Sequence, residues 1–212
     1  LRSYMREYHV DGFILNPDVT PTDGSYADPI LSEMKIFHHQ TGFQNVMRRF
    51  LKGDEGMVQD VIYWLRKPAG AEGMYNYIAN HNGFTLNDLV SYDAKHNEAN
   101  GENNQDGPDY NYSWNCGAEG PSRKKAVVTL REGQMRNALM LVLFAQGIPC
   151  ILAGDEFGNT QKGNNNVYCQ DNPTGWLDWG KLEKNKEFFE FAKSLIELRR
   201  SHPVLHQKDE LR

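Results

Sequence analysis

Cysteine is scarce in this chain of 212 residues: Cys116, Cys150 and Cys169 form no CxxC pair and leave one thiol over. That arithmetic argues against a disulfide framework and provides no zinc-ligand spacing, so the thiols read as reduced and no metal is expected. Long apolar runs are also missing. The longest, residues 138–146 followed by 147–153, is interrupted by Gly147 and Pro149 and falls short of a bilayer span. No basic block stands out, and the net charge of -5 is spread along the sequence; a nucleic-acid footprint or a membrane-surface helix is therefore not expected. Internal repeats and low-complexity tracts are lacking as well. The opening Leu-Arg-Ser-Tyr-Met-Arg-Glu carries charge at helical spacing, without the apolar core or small-residue cleavage site of a secretory signal. Starting without methionine on what reads as a helix end, the sequence looks like an excised piece, and cytoplasmic residence is the default expectation.

What is present is a composition fit for one sizeable core, 39% of residues being hydrophobic. Strand-like runs alternate with helical periods. Residues 8–16 open with Val10, Phe13, Ile14 and Leu15 and run into a turn-rich stretch. After a second apolar run at residues 34–37, Phe43, Val46, Met47 and Phe50 recur at helical spacing over 42–51, and a further helix is expected over 55–66, stopped by Pro68 and Gly70. Residues 74–79 read as a third strand ending in His81-Asn82-Gly83. Residues 131–146 predict a helix, 147–149 a turn, 150–153 a strand ending at Gly154-Asp155-Glu156, and residues 185–200 a last amphipathic helix. Such alternation predicts an α/β fold with a parallel sheet. Polar clusters at three strand ends (Asn16 to Asp18, His81 to Gly83, Gly154 to Glu156) lie where parallel barrels build their sites.

Longer stretches carry a specific likeness. His81-Asn-Gly-Phe-Thr-Leu-Asn-Asp-Leu-Val-Ser-Tyr, then Lys95-His-Asn-Glu-Ala-Asn-Gly-Glu-Asn-Asn-Gln-Asp-Gly and Ser113-Trp-Asn-Cys-Gly-Ala-Glu-Gly-Pro, closely resemble the glycogen-debranching, isoamylase and pullulanase-like branch of the alpha-amylase family. The likeness continues through Gln146-Gly-Ile-Pro-Cys-Ile-Leu-Ala-Gly-Asp-Glu-Phe-Gly, Asn164-Asn-Asn-Val-Tyr-Cys-Gln-Asp-Asn-Pro-Thr-Gly-Trp-Leu-Asp-Trp and Leu198-Arg-Arg-Ser-His-Pro-Val, and upstream Glu7-Tyr-His-Val-Asp-Gly-Phe resembles the start of the family's fourth barrel strand. The resemblance implies that residues 1–212 form the C-terminal part of a (β/α)8 TIM barrel, about strand units four to eight with one abbreviated, and that long substrate-side loops lie at 83–125 and 155–180. It further implies retaining hydrolysis of alpha-1,6 branches in glycogen- or amylopectin-like alpha-glucans, with no organic cofactor.

At the catalytic positions the pattern breaks. Retaining hydrolysis needs a carboxylate nucleophile and a second carboxyl group about 5 Å away. By resemblance the nucleophile position holds Asn16, the arginine two residues before it is replaced by Ile14, the acid/base place falls near Phe37 or His38, and the third carboxylate position holds Asn82. An amide supplies neither a nucleophilic oxygen anion nor negative charge for an oxocarbenium-like transition state. Loss of the arginine fits loss of its carboxylate, since a buried guanidinium without its partner is costly. The rival expectation is relocated chemistry, with Asp18 as nucleophile and Glu33 or His38 as acid. Binding residues carried over are His81, which by resemblance hydrogen-bonds the sugar ring, together with Asp18, Trp114, Tyr168 and Trp176, whose rings and amide-rich surroundings suit a glucan; Asp155 and Glu156 are expected in a structural or outer role. Two functional expectations follow, a debranching homologue with a substituted site and a noncatalytic glucan-binding or regulatory relative. A third, structural expectation is self-association through uncovered sheet edges.

Overall fold

The computed structural model describes residues 1–15, 28–32, 34–39, 41–70 and 73–211. Its strands are short and all parallel. β1 (Gly12–Phe13) pairs with β2 (Lys35–Ile36), and β3 (His38–His39) pairs with β4 (Met74–Asn76), which in turn pairs with β5 (Ile148–Pro149). Only Phe37 separates β2 from β3, and its N–H still donates to the Phe13 carbonyl at 2.9 Å while His38 N–H turns to Gly73 at 3.2 Å. One extended run thus faces β1 with its first half and β4 with its second, so the strands lie side by side in chain order. Parallel neighbours in chain order require a crossover between each pair. Between β3 and β4 this crossover is α2 (Thr41–Lys52) and α3 (Val58–Arg66); between β4 and β5 it includes α4 (Leu86–Leu89) and α5 (Lys125–Phe144).

Helix faces explain where the core lies. Phe43 and Met47, four residues apart on α2, are fully buried, and Ala138, Leu139, Val142 and Leu143 of α5 meet them around Ile78 and Phe84. Burying one such side chain contributes about 1.5–3 kcal/mol. After the short α6 (Gly180–Lys184), α7 (Lys186–Ser201) packs Phe188, Ala192 and Leu195 against α5. One turn further along the same stripe, Arg199 donates to the carbonyls of Leu143 (2.7 Å), Ala145 (2.6 Å) and Gly147 (2.7 Å). These orphan acceptors at and just beyond the α5 C-terminus are what a cation there satisfies. At the other end of the chain, α1 (Arg2–Tyr8) buries no residue and stops at His9, which is left-handed.

The expected α/β alternation is present, with shifted boundaries. α5 begins at Lys125, six residues before the predicted start, because Lys124 rather than Arg131 marks the change to extended backbone. The predicted strand at residues 150–153 is instead Ile148–Pro149, inside the expected turn. Apolar composition favoured the later residues, but β4 has hydrogen-bonding partners only as far as the Cys150 N–H, which donates to Asn76 at 2.8 Å.

Candidate functional site

The residues that follow β4 and β5 converge. Gly83, at φ +140, donates its N–H to the Asn165 carbonyl at 3.0 Å, tying the first long loop to the second. Directly after it, Phe84, Leu86 and Leu89 drop into the core, and the Thr85 hydroxyl caps α4 by accepting the Asp88 N–H at 3.1 Å. Two buried carboxyl groups then stitch the loops together. Asp155 accepts the Leu86 N–H at 2.9 Å; Asp88 accepts the Gln161 N–H at 2.8 Å and the Thr160 hydroxyl. Burial pushes the Asp155 carboxyl up to about 8, assisted by the negative charge of Glu156 and Asp88, and burial raises Asp88 as well.

That shift sets a sign for stability. A carboxyl group whose folded pKa lies above its unfolded one binds its proton more tightly in the native state, so unfolding becomes easier as pH rises from about 4 towards 8. The expected result is that Asp155→Asn flattens the fall in stability between pH 5 and pH 8 in chemical melts, because the amide oxygen still receives the Leu86 N–H and carries no charge. An unchanged slope would show that Asp155 is ionised at neutral pH.

Further out, amides do the joining. Asn97 and Asn165, both fully buried, bond reciprocally: Asn97 Nδ2 donates to Asn165 Oδ1 at 2.8 Å, and Asn165 N–H donates to Asn97 Oδ1 at 2.9 Å. Asn165 Nδ2 also reaches the Pro108 carbonyl (2.8 Å) and Asn111 Oδ1 (3.1 Å). Around this pair, Asn100 and Asn166 donate to one oxygen of Asp106 at 2.7 and 2.9 Å, and Lys95 bonds Asp109 at 2.6 Å. Because both donor and acceptor sit on one short side chain, asparagine joins two backbones without bringing in charge.

Within this frame the candidate residues fall into three groups. His81 and Asn82 are exposed on the turn after β4, and His38 is exposed on β3. Tyr168 and Trp176 are exposed on the second loop, at 67% and 55%. Trp114 is half-buried against the core, with its backbone N–H on the Leu89 carbonyl at 3.0 Å, which is a packing environment. Asn16, Asp18 and Glu33 lie outside the described residues. Ile14 is described and is exposed. Asp155 is buried with the Leu86 N–H on its carboxyl group, and Glu156 accepts the Gly154 N–H at 2.8 Å.

Arg48 was not foreseen. It projects from α2 beneath the His81–Gly83 turn, donating to the carbonyls of Ile78 (2.7 Å) and Asn111 (3.0 Å); its other terminal nitrogen has no partner among the described residues. A Cβ at Gly83 would lie 3.7 Å from that nitrogen. Burial lowers the guanidinium to about 10, so it stays charged at neutral pH. Its position next to inward-facing Met47 was the available signal, hidden because a basic residue in an amphipathic helix ordinarily marks the wet face.

No protein-family model matches the sequence. Among curated proteins, the chain is 38% identical to the "Glycogen operon protein GlgX homolog" of Mycobacterium tuberculosis over 251 residues, covering 98% of the chain and 35% of that protein. It is 37% identical to the "Glycogen debranching enzyme" of Erwinia tasmaniensis over 254 residues (98% of the chain, 37% of that protein). Against "Isoamylase 1, chloroplastic" of Arabidopsis thaliana it is 43% identical over 168 residues (74% and 21%). The chain therefore spans about a third of the length of the first two. Among solved structures, it matches the pullulanase from Bacillus acidopullulyticus with a TM-score of 0.66 at 19% identity, covering 96% of the chain and 28% of the pullulanase. With the type I pullulanase from Bacillus subtilis complexed with maltose, the TM-score is 0.63 at 21% identity, over 97% and 32%. At these identities the structural likeness speaks for the fold alone.

Proposed function

Since the chain belongs to the glycogen-debranching, isoamylase and pullulanase branch of the alpha-amylase family, we propose that it is part of an alpha-glucan debranching homologue whose substituted site binds glucan without cleaving it. The observation that carries this reading is the set of residues at the positions the resemblance assigns to catalysis: Asn16 for the nucleophile, Ile14 for its arginine, Asn82 for the third carboxylate and His38 near the acid/base place. A lone Asn16 is what a single inactivating substitution would produce. Simultaneous loss of the arginine also removes a cation that the missing carboxylate would have neutralised, as expected of a site no longer used for hydrolysis.

Residues 1–212 form one structural unit in this reading, the C-terminal part of a (β/α)8 barrel covering about strand units four to eight. The sheet's side-by-side order in chain sequence supports it, because barrels are wound that way. Where units four to eight would supply five strands, four positions are filled among the described residues, which fits one abbreviated unit. The aligned span of 251 residues with the mycobacterial relative exceeds the chain's 212, so part of the relative has no counterpart here. The long loops at 83–125 and 155–180 are the substrate side.

The ligand class is an alpha-linked glucan. His81 would hydrogen-bond a sugar ring, and Tyr168 and Trp176 offer exposed rings to the apolar faces of glucose units. Asp18, outside the described residues, would bind as the resemblance implies, whereas Trp114 contributes by holding the loop. Organic cofactor, nucleic acid and membrane play no part in the proposal. No described helix is long and apolar enough to cross a membrane, and a cytoplasmic setting is proposed, although the plant relatives are named chloroplastic. Self-association through the outer edges of β1 and β5 is the structural alternative.

Isothermal titration of a branched maltooligosaccharide into the protein tests the binding half. Saturable heat is expected, weakened about tenfold, or ~1.4 kcal/mol, by His81→Ala. No heat with any branched or linear oligosaccharide would overturn the proposal.

A further inference from the structure

Two indole rings lie exposed on the second loop, three residues apart, at 55% for Trp176 and 66% for Trp179. Large exposed aromatics on loops usually move. These two are held. Trp176 donates its indole N–H to Asp171 Oδ1 at 2.9 Å, and its backbone N–H closes a turn onto the Asn172 carbonyl at 3.0 Å. Asn172 Nδ2 donates to Gln170 Oε1 at 2.7 Å, and Gln170 Nε2 donates to Asn100 Oδ1 at 2.7 Å, so the turn is moored to the amide network between the two loops. Trp179 leans against fully buried Phe157, ring centres 5.7 Å apart at 37°. Its chain is fixed on both sides by Asp178, whose N–H donates to Asn159 Oδ1 at 3.2 Å and whose Oδ1 accepts the Gly180 N–H at 3.0 Å. Between the two rings, Leu177 turns inward, its Cδ2 only 2.7 Å from where a Cβ on Gly154 would lie. With Leu177 anchored between them, both rings stay largely exposed.

What lies around the rings narrows the ligand. Asp171 holds the Trp176 indole and Asp178 stands next to Trp179 in the chain, acceptors for hydroxyls beside apolar faces. A purely hydrophobic partner would leave those groups desolvated and unpaired, at a cost. A saccharide satisfies both kinds of surface, since each ring has an apolar face to stack and hydroxyls at its rim.

We propose that Trp176 and Trp179, with Asp171 and Asp178, form a glucan-binding platform that works independently of the substituted strand-end positions, and that Trp179 is a principal contact. This rests on the glucan-binding reading above and adds a place for it: even with Asn16 and Asn82 unable to support chemistry, an alpha-glucan would still be captured by the second loop.

Oxidative footprinting of the intact protein provides the test without any need for variants. N-bromosuccinimide oxidises accessible indoles, and peptide mass spectrometry reads each one. With no sugar, Trp176 and Trp179 should oxidise ahead of Trp64 and Trp114, which are only partly exposed. Saturating maltoheptaose should slow both at least about fivefold and leave the other two unchanged, while cellohexaose, with the opposite linkage, should protect less. In parallel, Trp179→Ala should weaken maltoheptaose binding about tenfold or more in titration; if that variant melts early for want of its Phe157 contact, Trp179→Phe, which keeps a ring there, should still weaken it measurably. Equal oxidation with and without maltoheptaose, in a protein that titration shows to bind it, would overturn the platform and leave the glucan reading intact. If titration shows no binding at all, both fail together. Protection of Trp114 alone would move the contact to the first loop and likewise overturn the proposal.

Discussion

Incubated with pullulan or glycogen, this protein is expected to release reducing ends at least about 10⁴-fold more slowly than a debranching enzyme with its carboxylates in place, a barrier higher by roughly 5 kcal/mol or more. The reason is chemical before it is structural. Retaining hydrolysis forms a covalent glycosyl intermediate through a carboxylate oxygen. On the proposed reading the nucleophile position holds the neutral amide of Asn16, the third carboxylate position that of Asn82, and the acid/base place falls near His38. Restoring one group should not restore turnover. On the proposed reading, Asn16→Asp would return a carboxylate without its arginine, position 14 now holding Ile, leaving nothing at that position to keep it ionised, and Asn82 would still lack the charge to steady the transition state. Single restorations are therefore expected to stay at background, and only a combined set including Ile14→Arg, Asn16→Asp and Asn82→Asp should move the rate. Reducing-end assays on these variants decide the matter. Wild-type hydrolysis that vanishes on Asp18→Ala or Glu33→Ala would defeat the prediction and locate relocated acids.

A second large effect is expected from a residue that touches no substrate. Asn165→Ala should destabilise the fold by about 3–5 kcal/mol, a large share of the 5–15 kcal/mol that holds a typical domain together. Asn165 is fully buried, and its side chain serves Asn97, Pro108 and Asn111 at once. Truncation strands these groups away from water, at about 1–3 kcal/mol each before relaxation. Close packing limits that relaxation, since a Cβ on Gly107 would lie 2.3 Å from Asn165 Oδ1. Asn165→Asp should do no better, because it deletes both amide hydrogens and buries a charge. Exposed Asn137 on α5, changed to Ala, provides the comparison and should cost little. Urea unfolding gives the energies, and amide exchange across residues 95–111 should show the first loop coming free of the second; a loss below about 1 kcal/mol would mean that the loops are held by something other than this pair.

Much of the architecture was legible from periodicity. Phe43 and Met47 recur at helical spacing, as do Phe188, Ala192 and Leu195, and α2 and α7 lie within a residue of where that spacing puts them. Strands were harder, because an apolar run does not state which of its residues will find a partner; β5 falls on Ile148–Pro149 only because Tyr75 and Asn76 lie opposite. At the site, the family likeness implied long loops at 83–125 and 155–180 without saying that each loop completes the other. Trp114 illustrates the limit from the opposite side: its sequence company is that of a sugar-binding ring, yet it packs on the core.

Sequence alone determined the chemistry open to the chain: amides at positions 16 and 82, no arginine at 14, and the motifs that mark the family. Covalent identity settles what an atom can donate, accept or attack, and no fold turns an amide into a carboxylate. Tertiary structure alone decided which polar groups are hidden and what hiding does to them. Asp155, Asp88 and Arg48 are ordinary charged residues in the sequence, and burial raises the first two carboxyl groups and lowers the guanidinium. Whether a ring packs on the core or stays exposed was decided there too, because exposure depends on what the rest of the chain brings alongside: Leu89 and the core beside Trp114, and largely solvent beside Trp176 and Trp179.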